Sequence, residues 1–381
     1  MRVDRWLALA ILLSTLSVAG ACVAKEPSQG ALTSAPFGQD SSGTAIELYT
    51  LQNRNGMEAR IATYGGIVVY LSAPDRNGQY ADVVLGYGTL DGYLRDSPYF
   101  GALIGRYGNR IRAGKFSLGT KHYVLATNNG PNSLHGGVKG FDKVVWKVAK
   151  AEVTSEGPQL TLTYSSHDGE EGFPGNLAVT AVYTLTHANA LRLDFTATTD
   201  KVTVVNLTQH SYFNLRGQGD VLAHVLQINA DHFTPVDETL IPTGEIRSVT
   251  STPFDFRAPT PIGLRVNADD EQLRFGKGYD HNWVVNNYQP GVLAKQGSVY
   301  EPETGRVLEV LSTEPGLQFY GGNFLDGSIK GKGGRVYGLR TGFCMEPQHF
   351  PDSPNHPDFP SVVLKPGETY RNTIVYRFSA R

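Results

Sequence analysis

Tyr370-Arg-Asn-Thr-Ile-Val-Tyr-Arg-Phe378 alternates with a period of two: Tyr370, Asn372, Ile374, Tyr376 and Phe378 fall on one face and polar or smaller residues on the other. That is the pattern of a half-buried antiparallel strand. Leu160-Thr-Leu-Thr-Tyr164 and Leu191-Arg-Leu-Asp-Phe195 repeat it. Ala178 to Thr186 and Val202 to Leu207 are rich in the β-branched residues and Tyr that strands favour. Asn55-Gly56, Asn77-Gly78, Asp168-Gly169 and Asp326-Gly327 separate such runs with residues that suit tight turns. Helical periodicity is scarce, and Leu90 to Leu94 offers one turn at most. There is no βαβ rhythm and no fixed repeat, which argues against a Rossmann fold, a TIM barrel or a propeller. The expected fold is all-β, one large antiparallel sandwich over residues 45–381, with two smaller sandwiches side by side as the alternative.

Composition agrees. The chain has 381 residues, 40% apolar and 10% aromatic, which excludes wholesale disorder. A net charge of −2 argues against a nucleic-acid partner. Two cysteines, Cys22 and Cys344, make no disulfide scaffold. Arg2 and Arg5 precede an uncharged stretch from Trp6 to Ala21 that ends in Ala19-Gly20-Ala21-Cys22. This reads as a signal peptide over residues 1–21, cut after Ala21 or leading to a lipid anchor on Cys22. Residues 22–44 read as a flexible tether. The expectation is an exported bacterial protein, periplasmic or anchored to the outer membrane.

Five segments place polar groups within apolar or Gly-rich β sequence: Gly105 to Ile111, Asn132 to Gly137, Thr208 to Leu215, Tyr279 to Asn282 and Gly342 to His349. Local rules fail most often at functional sites. His210 follows a strand-like run and is either a core histidine bonded to backbone or a proton donor. Glu346 is either an ion-pair partner of an arginine or a general base whose pKa burial raises. Arg110 and Asn109 share a loop with two glycines, and Arg offers planar donors suited to hydroxyls or carboxylates. His135 precedes Gly136-Gly137, and Asp280 and Gln318 could serve hydroxyls. Each of these also has a purely structural reading. His135, His210, His281, Asp280 and Glu346 could in principle ligate a metal. No metal-ligand motif, phosphate loop or nucleophile elbow accompanies them, so no metal, cofactor or covalent nucleophile is expected.

Read together, the segments resemble the aldose 1-epimerase family. The likeness runs from about Ile46 to Phe378. It is carried by Asn109-Arg110, Leu134-His135-Gly136-Gly137, Ser166-His-Asp-Gly-Glu-Glu-Gly-Phe-Pro-Gly175, His210 to Leu215, Asp280-His-Asn282, Pro315 to Phe319, and Glu346 through Pro360. The resemblance implies a many-stranded β-supersandwich that interconverts the anomers of free aldohexoses such as glucose and galactose. It implies Glu346 as base and His210 as acid. It also implies sugar contacts from Asn109, Arg110, His135, Asp280 and Gln318, a free aldose as the small-molecule partner, and a monomer or homodimer. Gln209 stands where that family often has Asn, and Pro347 where it often has Thr. The rival readings are a non-catalytic carbohydrate-binding module and an epimerase of a related sugar on the same fold.

Overall fold

The computed structural model describes Met1 and residues 29–95 and 97–381. The segment read as a signal peptide, together with Cys22, lies outside the described residues apart from Met1. Three antiparallel sheets carry the fold. The largest has nine strands, in the spatial order Lys147–Val153, Pro158–Ser166, Leu177–Leu185, Ala190–Thr199, Tyr370–Ala380, Arg306–Ser312, Ala294–Tyr300, Val225–Ile228 and Thr260–Pro261. Tyr370–Ala380 is its central strand. Asn372, Ile374, Tyr376 and Phe378 turn inward, as the period of two requires, and the residues between them are exposed or half-buried.

A six-stranded sheet faces it, in the order Tyr212–Phe213, Phe343–Gln348, Gly316–Tyr320, Asp280–Val284, His232–Thr234 and Arg247–Ser248. Leu193, Phe195, Ile374 and Tyr376 of the large sheet and Trp283, Leu317, Phe319, Phe343 and Met345 of the smaller one belong to one apolar core. Every residue of Phe343–Gln348 is buried. The core covers one of its faces, and the other walls a polar cavity.

The third sheet has five strands, Ala31–Gln39, Ala45–Gln52, Glu58–Ala62, Val68–Pro74 and Tyr80–Asp82. It corrects the expected tether, because Ala31–Gln39 is a strand paired along its length with Ala45–Gln52. An edge strand exposed on both faces needs no hydrophobic alternation, so period-two reasoning does not detect it. Backbone pairing holds it, with Leu32 and Phe37 partly buried against the apolar clusters. The expected helical turn is the short helix Leu90–Arg95.

Candidate active site

Strand register builds the floor of the cavity. In Phe343–Gln348, Cys344 and Glu346 share one face, and Phe343 and Met345 share the other. Pairing sets Tyr212 and Tyr320 on either side of Cys344, and Asp280 beyond Tyr320. The next row runs from Glu346 to Gln318 to Asn282. One face of the six-stranded sheet is thus polar, and the same register keeps the opposite face apolar.

Two further segments close over this floor. Arg110–Ile111 pairs with Ser133–Leu134, which brings Asn109 and Arg110 beside His135. Asn109 and His135 pin each other. The His135 N–H donates to the Asn109 carbonyl at 3.1 Å, and the Asn109 N–H donates to His135 Nδ1 at 3.1 Å. Both residues hold a left-handed backbone, with φ of 66° and 51°. Gly136 follows at φ 89°, packed so closely that a Cβ there would lie 1.9 Å from the Gly105 carbonyl oxygen. His210 is held through its backbone between Gly101 and Ala102.

The resulting cavity measures about 660 Å³. Asn109, Arg110, His135, His210, Asp280 and Glu346 all line it. His210 Nε2 lies 3.6 Å from Glu346 Oε2. The Glu346 side chain is 3% exposed, and its Oε2 has no hydrogen-bond partner. Arg110 Nη2 is 3.8 Å from Asp280 Oδ2, and Arg110 Nε donates to Asn129 Oδ1 at 3.0 Å. Gln318 is placed differently from the other six. Its side chain lies in the row beside Asp280 on the same face of the sheet, outside the cavity lining, and its amide donates to Asp280 Oδ1 at 2.7 Å. Gln318 therefore holds the Asp280 carboxylate in place.

Burial dominates the electrostatics. It pushes the Glu346 carboxyl well above its ordinary value; nearby Asp280 adds to this and Arg110 opposes it. It raises Asp280 as well, against Arg110 and the Gln318 hydrogen bond. It lowers His210 to about 4 and drives His135 well below the usual imidazole range, with neighbouring His210, Arg110 and Lys143 adding to the shift. Both imidazoles are therefore neutral near pH 7.

Ligand atoms of His135, His210 and Glu346 lie within 4.8 Å of one another, so a metal must be weighed. The tautomers oppose it. His135 Nδ1 accepts an N–H, so the neutral ring carries its hydrogen on Nε2 and turns no lone pair toward a cation. The donor set suits hydroxyl groups better than a metal.

Several lining residues escape sequence reading. Tyr99, at φ 65°, sets its ring 4.6 Å from His135 and 5.7 Å from His210. Tyr212 stacks on His210 at 5.2 Å, and Asn129 and Tyr320 complete the wall. Tyr99 and Tyr212 sit within or beside quoted motifs, but nothing in their spacing tells an aromatic that faces the cavity from one that faces the core. Arg106, from the same motif as Arg110, is structural. It is buried against Ser166 Oγ and the carbonyls of His167, Pro174 and Gly175, which explains the Ser166–Gly175 segment as its socket.

The family model for aldose 1-epimerase matches residues 47–377. The galactose mutarotase of Bos taurus is 47% identical over 91% of this chain and 98% of that protein. The Homo sapiens galactose mutarotase is 46% identical with the same coverage. The aldose 1-epimerase of Escherichia coli K12 is 38% identical over 89% of this chain and 96% of its own. Among solved structures, galactose 1-epimerase from Lactobacillus acidophilus superposes with a TM-score of 0.81 at 28% identity, covering 92% of this chain and 99% of that one. These relatives overturn the expected periplasmic or outer-membrane placement, since the mammalian mutarotases, at up to 47% identity, come from organisms without a periplasm. A buried carboxyl facing an imidazole on the polar side of a β-sandwich, and a family match along nearly the whole described chain, lead to one conclusion: the protein belongs to the aldose 1-epimerase family.

Proposed function

We propose that the chain interconverts the α and β anomers of free aldohexoses such as glucose and galactose, with Glu346 as base and His210 as acid. The 3.6 Å separation of His210 Nε2 and Glu346 Oε2 across the cavity floor carries the reading. Burial raises one group and lowers the other, so the pair rests as a carboxylic acid beside a neutral imidazole. Its tautomer, carboxylate beside imidazolium, holds the same number of protons. Ring opening starts from that tautomer. Glu346 takes the anomeric hydroxyl proton and C1=O forms. The C1–O5 bond breaks as His210 Nε2–H gives its proton to the ring oxygen. The pair is then back in its neutral resting form, and the open sugar can turn about C1–C2. Closure on the other carbonyl face reverses both transfers. Protons and charge balance without a redox group or a covalent intermediate.

Asn109, Arg110, His135 and Asp280 are the hydroxyl contacts in this reading, and Gln318 acts through Asp280. The charged residues lining the cavity are Glu238, Asp280, Asp326 and Glu346 against Arg110 and Lys277. That balance favours an uncharged sugar over a sugar phosphate, which calls for clustered cations.

Polarimetry on freshly dissolved α-D-glucose and α-D-galactose tests the proposal. The protein is expected to hasten the approach to equilibrium rotation. Glu346→Gln and His210→Asn should each lower turnover by about 10²–10⁴ with modest change in KM. No acceleration of either sugar would sink the activity, and near-wild-type turnover in one variant would remove that residue from its role.

A further inference from the structure

Two neutral imidazoles face the same cavity, with ring centroids 5.0 Å apart, and their Nδ1 atoms have different partners. His135 Nδ1 accepts from the backbone N–H of Asn109 at 3.1 Å. A backbone amide nitrogen only donates. A second proton on His135 would set N–H against N–H, so that ring is confined to one state, neutral with its hydrogen on Nε2. His210 Nδ1 instead lies 3.6 Å from the Sγ of Cys344, and the ring has a further hydrogen-bond partner in its own backbone. A thiol is a weak donor through S–H and a weak acceptor at sulfur. Its sulfur can accept from Nδ1–H whether the ring is neutral or imidazolium.

We propose that Cys344 is a positioning residue that lets His210, and not His135, carry the mobile proton. The inference rests on the assignment of His210 as the acid. Register supports it. Cys344 sits opposite Tyr212 in the paired strands, and the Tyr212 ring stacks on His210, so the sheet that supplies the thiol also fixes the imidazole plane against it. Burial keeps the sulfur as a thiol, because it raises Cys344 well above its ordinary value, with Glu346 and Asp280 adding to the shift. In the resting state Nδ1–H donates to the sulfur, and the Nε2 lone pair faces the Glu346 carboxylic acid, so the Glu346 proton can pass to Nε2. In the imidazolium state sulfur still accepts from Nδ1–H, and the added proton sits on Nε2, from which the ring oxygen takes it. The return of that proton restores the resting tautomer.

The test is a series of Cys344→Ser, Cys344→Val and His210→Asn, read by polarimetry, thermal melting and histidine ¹⁵N NMR. Serine keeps a hydroxyl that donates or accepts, and valine fills the space with no hydrogen bond. Cys344→Val is expected to lower kcat at least about tenfold, a part of the general-acid contribution, with KM within about twofold. Cys344→Ser should hold kcat within about threefold of wild type, which a packing role for sulfur would not produce. The wild-type ¹⁵N pattern should show Nε2–H at His135 and Nδ1–H at His210, with His210 alone losing its preference in Cys344→Val. Wild-type kcat in Cys344→Val overturns the proposal. So does an equal loss in both variants with His210 unchanged by NMR. The NMR of the wild type decides the tautomers even if the valine variant does not fold. Full turnover in His210→Asn would defeat the acid assignment itself. Loss there with none in Cys344→Val would defeat only the role of the thiol.

Discussion

Burial acts in opposite directions on Glu346 and His210. It penalises whichever form is charged, so it raises the Glu346 carboxyl and lowers the His210 imidazole. The pair therefore keeps one proton over a wide pH range and titrates as a unit. Turnover should be bell-shaped in pH. The acid limb should fall near 4, where His210 takes a second proton, and the alkaline limb should fall well above the usual carboxylate range, where Glu346 loses the last one. A pH–rate profile by polarimetry checks this, and an acid limb near the ordinary imidazole pKa would contradict it. The same shift has a stability consequence. A carboxyl with a raised folded pKa contributes fully below its unfolded pKa and loses that contribution as pH rises through the folded value. Glu346→Gln lacks this loss, so its melting temperature should gain on wild type as pH increases. Melting curves across pH would show the two converging or diverging.

Strands and turns set where these groups point. A one-residue slip of Phe343–Gln348 would turn Glu346 into the core and Met345 into the cavity. The register is held from both sides, by Gly316–Tyr320 and by Tyr212–Phe213. The Asn109–His135 contact depends in turn on Gly136. Gly136→Ala faces a positive φ and a backbone oxygen 1.9 Å from the new Cβ, so the turn must shift. It should destabilise by more than about 1 kcal/mol and raise KM through Asn109 and Arg110. Gly169→Ala is the control, with a φ of 86° and nothing within 4 Å of its Cβ. It should share the backbone strain and leave KM unchanged. Chemical denaturation paired with polarimetry separates the two, and equal KM values would show that the turn does not hold the site.

Over the whole molecule, the work is divided between layers. The nine-stranded sheet supplies core, and the six-stranded sheet with the loops above it supplies the cavity. Leu193, buried opposite Ile374 in the large sheet, belongs to the core shared by both layers. Leu193→Ala should cost about 2–5 kcal/mol while kcat and KM of the folded enzyme stay at wild type. A large change in KM would show that the layers are coupled.

Period-two runs such as Tyr370–Phe378 make the all-β fold legible, because a half-buried strand must alternate. His210, Glu346, Arg110, Asn109, His135 and Asp280 stand out for a related reason: polar groups within buried β sequence conflict with their surroundings and need an explanation. Ala31–Gln39 stayed hidden, because a mostly exposed edge strand that buries only parts of Leu32 and Phe37 imposes no alternating side-chain pattern. Tyr99, Cys344 and the place of Gln318 beside Asp280 also depend on tertiary structure. Which side chain meets which imidazole nitrogen follows from sheet register and left-handed turns between segments far apart in the chain. Residue order thus carries the strands and the chemical types of the site, while three-dimensional packing settles which atom faces which, because direction and distance arise only when the sheets close on one another.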